Sequence, residues 1–181
     1  MSEPNNGYKT ETEFDNLRAS FLSREVDISL PRQVARQFFL RIRSAEVKRT
    51  TGKSIAIKKA AIWLMNVGSP ITFVLSLILI ILQYGPWEAS LIVPIAGICW
   101  TIIYGLTSDQ GGWLIGTIPL LLSGIEVVDS GQLGNPLFLF VLSIWLQRTS
   151  YLLATYWLLD IVMSSFDAFE MMEEHISIEP S

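Results

Sequence analysis

Arg148 lies about 12 residues into an apolar run that begins at Pro136 and continues to Met163. A guanidinium at that depth in hydrocarbon is costly unless it is paired or reaches water, so it needs a partner. Ser143, Gln147, Tyr151 and Thr155 recur every four residues on the adjoining face. That spacing predicts a helix whose polar stripe points into a bundle rather than at lipid. Glu126, near the outer end of the preceding apolar segment, is the expected counter-ion. Two uses suit such a set: a structural pair within or between subunits, or the lining of a substrate or ion path, where a ring of arginines favours anions.

The other groups with chemical potential offer less. Thr51, Gly52, Lys53 and Ser54 read TGKS, the end of a phosphate-binding loop, but Val47 stands where that loop needs glycine. A basic helical stretch, not a buried strand, precedes it, so a nucleotide site is not expected. These residues read as the link that ends one helix before the first span. His175 is the only histidine, beside Glu173 and Glu174 in a polar tail, and a single copy of that tail makes a poor metal site. The lone Cys99 sits in an apolar run, which rules out an intrachain disulfide and a thiolate metal centre. With no second histidine and no activated serine or cysteine, the sequence predicts neither enzyme activity nor a cofactor.

The elements that position these residues are legible in the charge. Residues 1–59 carry 12 basic and 7 acidic side chains (net +5), and residues 60–181 carry 1 and 10 (net −9). Half of the residues are apolar and the mean hydropathy is +0.42, more than a soluble domain of this length needs. Together these describe an integral membrane protein with its basic N-terminal region in the cytoplasm. Acidic residues contribute little to that bias, so an acidic C-terminal tail on the same side is compatible with it.

The expected fold is all-α and polytopic, with about four transmembrane helices in two hairpins preceded by a basic amphipathic helix. Residues 1–28 are polar, lack the apolar core of a cleavable signal peptide and are expected to be flexible, leaving the first span as signal anchor. Residues 29–59 hold the amphipathic helix and its link. Ser29 is the expected N-cap ahead of Pro31, and Leu30, Val34, Phe38 and Ile42, widened by Phe39 and Ala45, form an apolar stripe. Arg32, Arg36, Arg41, Arg43, Phe38 and Phe39 are its expected contacts with anionic headgroups, or with a soluble partner or second copy.

The transmembrane region covers residues 60–163. Segments Ala60–Tyr84 and Trp87–Leu106 are separated by Gly85 and Pro86; Gly112–Val128 follows, and then the run from Pro136, with Asn135 as cap. The third, only 17 residues with Gly116, Pro119 and Gly124, is the weakest span, a re-entrant course being the alternative. Gly112 and Gly116 form a GxxxG pair, weak evidence for self-association. Tyr84 and Trp87 fall at the outer boundary, and Trp63, Tyr104, Trp113 and Trp157 at the inner one. The acidic tail, 164–181, is expected to prolong the last helix before fraying.

The absence of a catalytic constellation beside two cytoplasmic appendages suggests a non-enzymatic accessory, assembly or membrane-organising subunit. The alternative is a small transporter or pore subunit in a homo-oligomer, lined by Arg148 and the polar stripe. Expected partners are the lipid bilayer with its anionic headgroups and other membrane subunits or further copies of the chain; nucleic acid is not expected.

Overall fold

The computed structural model describes residues 10–52, 54–106, 114–130, 135–170 and 172–180. Helix accounts for 83% of them. The chain divides into two compact units, Met1–Lys59 with Ala154–Ser181, and Ala60–Leu153.

The first unit is built from both chain ends, and here the structure departs most from expectation. Residues Glu11–Leu22 form a helix, α1, not a flexible lead. The Thr10 side chain accepts a hydrogen bond from the Glu13 backbone N–H, and Glu11 and Glu13 complement the positive end of the helix dipole. Phe14 and Leu17, one turn apart, are buried. Phe14 packs on Phe166 and Phe169, with ring centroids 5.7 and 5.1 Å apart. Neither end carries enough apolar surface to order itself, but the two pooled make a core.

After α1 the chain turns through Arg24, at φ 62°, into a short strand, β1 (Val26–Ser29). It pairs antiparallel with β2 (Ser177–Pro180), Ile28 opposite Ile178 and Ser29 opposite Ser177. Ser29 is therefore a ladder residue and caps no helix; the helix begins at Arg32, after Pro31. The tail likewise does not prolong the last membrane helix. It folds into α8 (Phe166–Glu170), one turn of 3₁₀ helix at Glu173–His175, and β2.

The basic stretch forms two helices, α2 (Arg32–Arg41) and α3 (Ser44–Thr51), instead of one. Ile42 and Arg43 are extended, with ψ of 138° and 120°. Lys59 Nζ donates to the Ile42 carbonyl at 2.9 Å, satisfying a group that the break exposes. Gly52, at φ 71°, closes α3 in the left-handed conformation, its N–H bonded to the Lys48 carbonyl, so the TGKS stretch begins as a helix cap.

The second unit takes its residues from α4 (Ala56–Gln83), α5 (Pro86–Leu106), α6 (Leu114–Ser130) and α7 (Pro136–Val162). Among the described residues three stretches, Ala56–Gln83, Pro86–Ile103 and Pro136–Val162, are long and apolar enough to cross a membrane. The 17 residues of α6 extend about 25 Å, short of the ~30 Å hydrocarbon core. Pro86 and Pro136 occupy the first turns of their helices, where a missing N–H costs nothing. Asn135 caps α7 as expected, its Oδ1 accepting from the N–H groups of Leu137 and Phe138. Residues 107–113 and 131–134 lie outside the described residues.

A polar seam joins α4 to α7. Ser69 Oγ donates to the Ser143 carbonyl at 2.8 Å, and Ser76 Oγ to the Pro136 carbonyl at 2.7 Å. Seven residues forward on α4 match seven back on α7, so the helices are antiparallel with the repeat of left-handed coiled-coil packing. A Cβ at Gly68 would stand 3.5 Å from Leu146 Cδ1, an ordinary van der Waals contact, so the approach does not depend on glycine there. Helix α5 joins through Phe73, stacked on Trp100 at 4.6 Å, and α6 through Trp145 Nε1, which donates to Thr117 Oγ1 at 3.3 Å.

Candidate functional site

The polar face of α7 is interior. Ser143, Gln147, Arg148, Thr149, Ser150 and Tyr151 are all buried, and Thr155 is half-buried. Ser143 is the junction of three helices: its carbonyl accepts from Ser69 on α4, and its hydroxyl accepts from Trp100 Nε1 on α5 at 3.1 Å. The same hydroxyl donates to the Phe140 carbonyl. Ser69, Ser76, Ser123 and Ser150 also spend their protons on backbone carbonyls, which leaves these hydroxyls structural rather than nucleophilic.

Gln147 differs. It is 1% exposed, and both Nε2 and Oε1 lack a hydrogen-bond partner among the described residues. Its neighbour Arg148 is 4% exposed. Glu126, the expected counter-ion, lies on α6, but its side chain lies outside the described residues. Tyr151 continues the same face one turn beyond Gln147, so the four-residue spacing reads as one buried stripe through Tyr151 and loosens at Thr155.

The residues expected to meet lipid or a partner divide. Phe39 is fully buried and faces Trp157 at 6.1 Å, and Lys58 Nζ lies 5.4 Å from the same indole. Phe38, Arg32 and Arg36 are half-buried, while Arg41 and Arg43 are exposed at the break between α2 and α3. Of the apolar stripe, Leu30 and Phe39 are buried in the first unit, Val34, Phe38 and Ile42 are half-buried, and Ala45 is exposed. What remains outward is the basic rim of Arg41, Arg43, Lys48 and Arg49. Trp157 is half-buried in that unit, whereas Trp63 and Trp87 are exposed.

Each unit also has a groove. In the second, a groove of about 470 Å³ lies between Ser76, Ile80 and Tyr84 of α4, Ile95 and Cys99 of α5, and Phe140 of α7. In the first, one of about 240 Å³ runs between α1 and the end of α7. This second groove was missed because the N-terminal stretch was read as flexible. The signal was present: Thr10 and Glu13 have capping-box spacing, and Phe14, Leu17 and Phe21 fall at i, i+3 and i+7. Among the described residues no group of three His, Cys, Asp or Glu side chains is placed to hold a metal. Compared with family models, curated proteins and solved structures, the chain matches none.

Proposed function

We propose that the chain is a non-enzymatic multi-pass membrane protein that acts as an accessory, assembly or membrane-organising subunit, with four crossings in two hairpins and both ends cytoplasmic. The observation that carries this reading is the pairing of β1 with β2. Hydrogen-bonded strands lie on one side of a bilayer, so the chain between Ser29 and Ser177 crosses an even number of times. Among the described residues three helices are long and apolar enough to span; in the reading with four crossings α6 is the fourth, its shortness met by local thinning of the bilayer. The basic N-terminal residues support a cytoplasmic location for that shared side.

A folded unit made from both ends, with an exposed basic rim, suits contact with an acidic partner or anionic headgroups at the cytoplasmic face. The pore reading draws support from Gln147, whose amide has no hydrogen-bond partner on the interior face of α7. Against it, Ser143, Gln147 and Arg148 are enclosed by the single chain, where a path shared by several copies needs them on its surface.

Chemical crosslinking in native membranes followed by purification separates the two. The accessory reading expects a discrete partner that is lost when Arg41, Arg43, Lys48 and Arg49 are changed together to Glu, and no ion flux from liposomes holding the chain alone. Anion flux from such liposomes, abolished by Arg148→Gln at unchanged protein yield, overturns it in favour of the pore.

A further inference from the structure

We propose that the corner between α2 and α3 rests in the headgroup layer of the bilayer that the chain spans and binds anionic phospholipid there, through Arg41, Arg43, Lys48 and Arg49. The inference rests on the membrane reading above and deepens it by naming the partner of the basic rim.

Depth comes from the sequence of α4. Residues 60–83 hold no charged side chain, and 24 helical residues extend about 36 Å, enough for the ~30 Å hydrocarbon core. Lys58 and Lys59 immediately precede that run, so they stand where the headgroups begin. Lys59 then fixes the corner at the same level. Its Nζ donates to the Ile42 carbonyl at 2.9 Å, and the neighbours of Ile42 on either side, Arg41 and Arg43, are both exposed.

The fold also decides which cations face outward. On α2 the exposed side chains are Gln33, Gln37 and Arg41, spaced four apart, while Arg32 and Arg36 are half-buried. On α3 the exposed Ala45, Lys48 and Arg49 share one face at i, i+3 and i+4. Outward positive charge is thus gathered at the corner and on α3 instead of along α2. Arg41, Arg43, Lys48 and Arg49 have no ion pair or hydrogen bond among the described residues, which leaves all four for a ligand.

Between Arg41 and Lys59 the sequence carries seven basic residues and one acidic, Glu46. The unit as a whole is close to neutral, with +5 from residues 1–59 and −6 from residues 154–181. An anionic surface therefore attracts it through this face rather than through its net charge. Guanidinium groups meet phosphate oxygens in two-pronged contacts. An acidic protein would have to displace headgroups from the same level, which favours the lipid.

The full chain, purified in detergent and reconstituted into bilayers of equal parts phosphatidylglycerol and phosphatidylcholine, is analysed by native mass spectrometry for retained lipid. Each basic residue near an anionic surface contributes about fivefold, so the wild type is expected to retain phosphatidylglycerol about tenfold or more over phosphatidylcholine. Arg41→Gln combined with Arg43→Gln is expected to lower that ratio about fivefold or more. Arg18→Gln combined with Arg24→Asn removes the same charge from exposed positions outside the corner, keeps the left-handed turn at residue 24 and leaves the ratio unchanged. Each ratio is measured within one variant and is independent of its yield. Equal retention of the two lipids by the wild type, or an equal fall in both double variants, overturns the inference and leaves the rim to an acidic protein. A chain that stays in solution without detergent overturns the membrane reading and this inference with it, whereas a detergent-dependent chain with no headgroup preference overturns this inference alone.

Discussion

Replacing Gln147 by leucine is expected to stabilise the protein. The side chain is 1% exposed, and neither polar atom of its amide has a partner among the described residues. Leaving a buried polar group unsatisfied costs about 1–3 kcal/mol. Leucine has nearly the same bulk and no polar atoms, so the substitution removes that cost while keeping the contacts of the side-chain stem. A gain of about 2 kcal/mol corresponds to a rise of about 4–8 °C in Tm for a chain of this length. Gln147→Ala provides the control: it removes the same amide but leaves a cavity, whose cost offsets the gain. Thermal unfolding in bicelles, followed by circular dichroism, measures both. A loss of 1 kcal/mol or more in Gln147→Leu would refute the reasoning, because the amide would then be bonded in the membrane to water or to another subunit. That outcome would also favour the pore reading.

Ser143→Ala removes the acceptor of Trp100 Nε1 and is expected to cost about 0.6 kcal/mol, the usual size of an interhelical hydrogen bond in a bilayer, read in the same unfolding assay. Phe169→Ala, at a side chain 1% exposed and in contact with Phe14, is expected to cost about 3–5 kcal/mol and to free α1, seen as rapid proteolysis after Phe21 or Arg24 with the membrane helices intact.

The membrane helices were legible because each is a run of apolar residues bounded by punctuation that acts locally. Asn135 and Pro136 begin α7, and Gly85 and Pro86 separate α4 from α5, each through the conformation of one or two residues. The polar stripe of α7 was legible too, since a four-residue period survives in any helix. The first unit was not, because its order depends on residues such as Ser29 and Ser177, 148 positions apart in sequence. Phe14 is a lone aromatic in a charged stretch until Phe166 and Phe169 meet it, and Ser29 reads as a cap until Ser177 pairs with it. The break in α2–α3 was hidden for a similar reason. Leu30, Val34, Phe38 and Ile42 continue a helical stripe straight through it, and only Lys59, reaching the Ile42 carbonyl, marks where the helix ends.

The second unit is apolar outside and polar inside, an arrangement that decides which solvent it fits. Its exposed residues include Ile71, Leu75, Ile78 and Leu82 on α4 and Leu91, Ile95, Ile98 and Ile102 on α5, both rows spaced four, three and four. Its buried ones include Ser69, Ser76, Ser143, Gln147, Arg148 and Ser150. In water such rows would drive aggregation; in hydrocarbon they cost nothing, and the polar groups become the adhesive because no water competes for them. Bulky branched rows also keep a second helix backbone at a distance, where close membrane packing prefers small residues. The outward faces of α4 and α5 are therefore suited to lipid.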